Sequence, residues 1–137
     1  QQLPTLTQLD GFLAAQQMGI TQLAVSYCNA LVGDSSPGSA ARDNLFGSFN
    51  FNAQVSTAFN SSGRTQIIEP ILGRLLGTEI NGTPLNTQAD PALLRDELNS
   101  LITIMTTCGN NCAAGRTYTV VKATCAAALG SAVMLIQ

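Results

Sequence analysis

The chain has 137 residues, with six basic and eight acidic side chains, a net charge of −2 and no histidine. A chain of this length fits one domain, residues 1–137, and buries roughly two thirds of the surface that its unfolded form exposes, so it needs no metal in order to fold. The lack of histidine excludes Ser-His and Cys-His catalysis, imidazole metal sites and a histidine pH switch.

A long amphipathic helix is predicted for residues 5–32, because apolar residues recur every three or four positions. Gly33 and the polar residues after it end the helix. The spacing is also heptad-like and fits a coiled-coil seam between chains, but an ordinary bundle face is favoured because the repeat is short. The predicted stripe comprises Leu6, Leu9, Leu13, Ile20, Leu23, Tyr27 and Ala30, with Gln16 in the one polar position.

A short helix is predicted at residues 39–46, followed by a loop or isolated extended segment at 47–52. Four of the five phenylalanines, Phe46, Phe49, Phe51 and Phe59, lie in or just after this stretch. They either fold back as a lid over one end of the bundle or form an apolar patch that docks on another chain. The expected interface uses Phe46, Phe49 and Phe51.

Two further helices are predicted in the second half, separated by a turn-rich loop at residues 78–89. In the first, Pro70 must lie in the first turn or produce a kink. Asp90-Pro91 starts the second, with an N-cap aspartate and a proline at the first helical position, and Gly109 ends it. The first stripe comprises Ile67, Ile68, Ile71, Leu72, Leu75 and Leu76, closed by Gly77; the second comprises Leu94, Leu98, Leu101, Met105 and Cys108.

The last predicted helix, residues 117–136, is apolar or small on every face. Such a helix is buried on all sides, either at the centre of the bundle or under another subunit. A membrane span is disfavoured because Lys122 leaves only residues 123–136, fewer than the roughly 20 that a bilayer needs. The interface expected on this helix comprises Ala127, Gly130, Val133 and Met134.

Four cysteines, an even number, stand at positions 28, 108, 112 and 125. In a charge-poor chain this predicts two disulfides and an oxidising compartment. The first choice pairs Cys108 with Cys112 across a short turn and Cys28 with Cys125 between the first and last helices. Pairing of Cys28 with Cys108 or Cys112 is the alternative. Buried free thiols and a four-cysteine zinc site are less favoured, since zinc usually requires two close pairs.

No motif for catalysis or cofactor binding is present, so no enzymatic activity, cofactor or metal is expected. The carboxylates are scattered, and no phosphate-binding loop or nucleophile elbow occurs. Nucleic acid is an unexpected partner because the six cations form no basic stripe. Two glycosylation-type tripeptides, at Asn60 and Asn81, lie in predicted exposed loops. The start at Gln1 rather than methionine suggests that a leader or a preceding domain has been removed.

Two parts of the chain resemble a known family. The segments FLAAQQMGITQLA (residues 12–24) and YCNALV (residues 27–32), with the ending TVVKATCAAALGSAVMLIQ (residues 119–137), are similar to a poorly characterised helical region of secreted or surface proteins of Gram-negative bacteria. Some of those proteins also carry a laminin-G-like jelly-roll domain, which has no counterpart here. The resemblance implies export and supplies no enzymatic activity.

Together these features predict an all-α, disulfide-stapled bundle of about four to five helices with long polar loops. The expected function is that of a secreted, extracellular or cell-surface structural protein that forms a homo-oligomer or polymer, as a subunit of a surface or filamentous assembly. Charged residues make up only 10% of the chain against about 25% on average, and such a surface favours association. The alternative is a helical accessory module of a secreted adhesin that binds a polymer or another surface protein.

Overall fold

The computed structural model describes the backbone of residues 6–33, 38–75, 79–80, 83–84 and 91–136, and the side chains of residues 18–33, 39–75 and 91–131. The described chain is all-α and carries two disulfides, so the predicted fold class is confirmed. Its α-helices are α1 (Leu6–Val32), α2 (Gly38–Phe46), α3 (Val55–Ala58), α4 (Ser61–Pro70), α5 (Pro91–Met105) and α6 (Arg116–Ile136).

Three minor elements connect these helices. A π-helical turn, Ile71–Leu75, continues α4, and a 3₁₀ turn, Gly109–Asn111, lies between α5 and α6. Within the predicted loop at 78–89, the two-residue strands β1 (Glu79–Ile80) and β2 (Thr83–Pro84) pair antiparallel, with Glu79 opposite Pro84. The rest of that loop, with Gly77 and Asn81, lies outside the described residues.

Pro70 occupies the last position of α4 rather than its first turn, which corrects the first of the two predicted placements. Proline has no backbone N–H and so cannot donate to the carbonyl four residues earlier. After Pro70 the backbone hydrogen-bonding pattern changes from that of the α-helix to that of the π-helical turn, which begins at Ile71. At the other end of α4, the Asn60 side chain caps the helix by accepting from the backbone N–H of Gly63 at 2.8 Å.

The core forms around α6, which packs against α1, α3, α5 and the π-helical turn. The disulfide between Cys28 and Cys125 joins α1 to α6, with the two Cα atoms 5.9 Å apart. Cys108 and Cys112, with Cα atoms 5.0 Å apart, close the turn between α5 and α6. Both predicted pairs are present, and all four cysteines are bonded.

Leu98, from the predicted stripe of α5, and Cys125 of α6 are buried in the core, but Leu23, from the predicted stripe of α1, is not, since its exposed fraction is 73%. The face of α1 that meets the core carries Ala24, Cys28 and Val32 instead. Residues four positions apart share a helix face, so the disulfide at Cys28 turns this face toward α6. Of the predicted stripe positions whose side chains the structure describes, Leu23, Tyr27 and Ala30 are exposed and Ile20 is half-buried.

Candidate functional site

The clustered phenylalanines lie inside the protein. Phe46, Phe49, Phe51 and Phe59 are all buried, and the rings of Phe49 and Phe51 meet edge-on with centroids 4.9 Å apart. The prediction that Phe46, Phe49 and Phe51 contact another chain is therefore wrong, because their apolar surface is already covered within the subunit. The alternative, in which these residues fold back onto the bundle, agrees with their burial.

Arg42 fixes this phenylalanine cluster to three helices. Its guanidinium lies 4.9 Å from the ring centroid of Phe51 and donates to the Gly33 carbonyl at 3.2 Å and to the Tyr118 hydroxyl at 3.4 Å. The Tyr118 ring in turn stacks on Phe51, with centroids 5.2 Å apart. A cation over an aromatic face is stabilised by the ring quadrupole. Arg42 thus links the end of α1, α2 and α6 through one side chain.

The other arginines also donate to groups within the chain. Three of them satisfy backbone carbonyls near helix ends or on neighbouring elements, and one forms an ion pair between α4 and α5. These arginines hold the helices of one subunit together. The contacts are Arg64 to the carbonyls of Phe59 and Asn99, Arg74 to that of Asn44, Arg116 to that of Met105, and Arg95 to the Glu69 carboxylate.

The last helix is less enclosed than predicted. Along residues 116–131 one face of α6 is buried, but Ala127 and Gly130, two of the expected interface residues, are only half-buried. The side chains of Val133 and Met134, the other two, lie outside the described residues. α6 therefore packs against several elements of the bundle, but a flank of small residues that includes Ala127 and Gly130 is only partly covered.

An apolar stripe remains on the outside of α1 and its junction with α6. We define this apolar stripe as Ile20, Leu23 and Tyr27 of α1 with Leu129 of α6; they line a shallow groove of about 250 Å³ above Ala24. Leu23 and Tyr27 are 73% and 50% exposed. These three α1 positions belong to the heptad-like pattern, so the exposed surface carries the spacing that predicts helix–helix packing.

A second groove lies on the opposite flank of the α1–α6 pair. It has a volume of about 340 Å³ and is lined by Val25 and Asn29 of α1 and by Thr119, Lys122, Ala123 and Ala126 of α6. Most of its lining is small or apolar, and Lys122 is its only charged residue. We call it the lysine groove.

The described residues offer little for chemistry. They contain no cluster of three or more His, Cys, Asp or Glu side chains that could hold a metal ion, and the cysteines are consumed in disulfides. Within the same part of the chain, no helix combines the length and apolarity that crossing a bilayer requires. Comparison with family models, curated proteins and solved structures finds no match. The described surface does carry grooves, and two of them flank the α1–α6 pair.

Proposed function

We propose that this protein is a non-enzymatic, extracellular structural subunit that self-associates into a surface or filamentous assembly. The observation that carries the proposal is the apolar stripe, an exposed helix face whose residues are spaced as in a helix–helix seam. Contiguous exposed apolar surface of this kind marks interaction sites in soluble proteins. The spacing favours a second copy of the chain as the partner, because two identical helix faces with heptad spacing can pack against each other.

The energy available to this contact comes from apolar burial. Covering a large aliphatic or aromatic side chain contributes about 1.5–3 kcal/mol, and both Leu23 and Tyr27 are at least half exposed in the single subunit. Few charges oppose the approach, because only 10% of residues are charged. Association of this kind should persist at high salt, which screens charges but strengthens apolar burial.

Export to an oxidising compartment is supported by the two disulfides, since such bonds persist outside the reducing cytosol. The resemblance to secreted and surface proteins of Gram-negative bacteria points the same way. Disulfides also suit a subunit that must remain folded outside the cell, where nothing refolds it.

Sedimentation velocity of the purified, oxidised chain tests self-association, with Leu23→Asp as the disrupting variant. We expect the parent to form species larger than a monomer at on the order of 100 µM and the variant to associate at least about tenfold more weakly. Ser26→Asp is the matched control, because Ser26 is exposed on the same helix but lies roughly 60° or more around it from the stripe. Circular dichroism of all three proteins checks that the fold is intact.

A parent chain that stays monomeric under these conditions refutes self-association. It would favour the alternative function, a helical accessory module that binds a polymer or a different surface protein. Equal loss of association in the Leu23 and Ser26 variants would also refute the assignment to the stripe.

A further inference from the structure

The charged side chains of this protein divide into two groups. Each arginine donates to a carbonyl, a hydroxyl or a carboxylate of its own subunit, and Asp43 and Glu69 each pair with one of these arginines. Among the described residues, Lys122, Asp96 and Glu97 make no such contact. Among the charged side chains that the structure describes, these three are therefore the ones left for a partner.

Lys122 lies in the lysine groove, between α1 and α6, with alanines beside it. Lys122 is half-buried, and a lysine in such a position characteristically covers apolar surface with its aliphatic part while its ammonium group stays in water. The α6 wall of this groove, from Thr119 to Ala126, is about 10 Å long at 1.5 Å per residue. A helix laid across it could bury apolar side chains and place one carboxylate beside the lysine.

The outer face of α5 has the complementary features. Leu93 and Ile104, 63% and 67% exposed, lie on the same side of the helix as Glu97. We call these three residues the α5 ridge; from Leu93 to Ile104 it spans about 16 Å. Asp96 lies roughly 60–100° around the helix from each of the three and so falls outside the line of the ridge.

We propose that the α5 ridge of one copy docks in the lysine groove of a second copy, with Glu97 pairing with Lys122. This proposal rests on the proposed function and specifies its geometry. The contact joins two different surfaces, so each added copy leaves one ridge and one groove open. Such a head-to-tail contact propagates into a ring or a filament rather than stopping at a dimer. The apolar stripe then adds burial between copies that the ridge and groove have aligned.

Charge reversal with mixing tests the pairing. Lys122→Glu makes both surfaces negative, and Glu97→Lys makes both positive, so each variant alone should assemble on the order of tenfold more weakly than the parent. An equimolar mixture of the two restores opposite charges at every contact, as does the double variant Lys122→Glu/Glu97→Lys. We therefore expect both the mixture and the double variant to regain assembly, measured by light scattering and sedimentation velocity.

Asp96→Lys is the matched control, because it makes the same charge change on the same helix outside the ridge. It should retain most of the parent's assembly. The defects of the single variants should also shrink in about 1 M salt, where the screening length falls to about 3 Å. Circular dichroism and disulfide mapping establish that every variant keeps its fold.

Four results overturn the inference. Single variants that assemble like the parent show that the pair makes no contact, and a mixture that stays dissociated shows that the two residues do not face each other. An equimolar mixture of the parent with Lys122→Glu that assembles more strongly than either protein alone indicates groove-to-groove packing, and a complex that stops at two copies excludes propagation. A monomeric parent refutes the proposed function itself, and this inference with it.

Discussion

Removing the long disulfide should destabilise the protein far more than removing the short one. The bridge between Cys28 and Cys125 spans 97 residues of sequence, whereas that between Cys108 and Cys112 spans four. A crosslink restricts the unfolded chain in proportion to the logarithm of the loop it closes. On that relation the long bridge contributes about 4.7 kcal/mol and the short one about 2 kcal/mol to the free energy of unfolding.

The double variants Cys28→Ala/Cys125→Ala and Cys108→Ala/Cys112→Ala separate the two contributions. Guanidinium unfolding without reductant, followed by circular dichroism at one low protein concentration, gives the free energy of unfolding of each. We expect the first variant to lose at least about 2.5 kcal/mol more than the second. Cys28 and Cys125 are also fully buried, which adds to their loss. Equal losses, or a larger loss for the short bridge, would refute the reasoning.

Five further substitutions, two of them matched controls, test the packing of single residues by the same unfolding measurement. Gly63→Ala should cost roughly 1–3 kcal/mol, because a Cβ there would lie 1.7 Å from a backbone carbonyl oxygen; Gly73→Ala meets nothing within 4 Å and should change stability by less than about 1 kcal/mol. Leu98→Ala should cost roughly 2–5 kcal/mol and exposed Leu93→Ala less than about 0.5 kcal/mol; equal costs would mean that the burial of α5 is wrongly assigned. Arg64→Gln should cost roughly 1–3 kcal/mol, since it leaves carbonyls that Arg64 satisfies in two parts of the chain without their donor; an unchanged free energy would show that water replaces it.

The helices and the cysteine pairing could be predicted because local signals fix them. The helix from Pro91 follows directly from a proline at the first helical position, and Gly47, with φ of 63°, ends α2 as only glycine does readily. The pairing of Cys108 with Cys112 follows from their separation of four residues. Once that pair is set, Cys28 and Cys125 have only each other.

The buried face of α1 could not be predicted from periodicity because this helix is apolar on more than one face. Two sets of positions compete, one containing Leu23 and Tyr27 and the other containing Ala24 and Cys28. Larger side chains favour the first set, but the disulfide requires the second, since Cys28 must face Cys125. The rotation of α1 about its axis therefore follows from the predicted pairing of Cys28 with Cys125. Hydrophobicity alone does not determine it.

The burial of the phenylalanine cluster could not be predicted from the sequence for a different reason. Its residues lie in a segment that contains Gly47 and the polar residues Ser48, Asn50 and Asn52, so their sequence context resembles an exposed loop. Their burial depends on long-range partners: Tyr118 stacks on Phe51, and Arg42 lies over the same ring. Tyr118 and Arg42 lie 67 and 9 positions from Phe51 in the sequence, so they leave no local periodic signal. Only the folded chain shows which of the two proposed roles these rings have.

The use of arginine inside the subunit bears directly on how the subunit could assemble. By donating to carbonyls and to Glu69, the arginines stabilise helix junctions within the subunit, and the chain as a whole carries few charges. A surface of that kind supplies affinity through apolar burial but little orientation, because apolar contact is non-directional. One ion pair such as Lys122 with Glu97 then has a disproportionate effect on which surfaces meet, since complementary charges set register and reject wrong arrangements more than they add affinity. In the proposed assembly, the apolar stripe would determine how strongly copies associate, and this pair would determine in which direction they propagate.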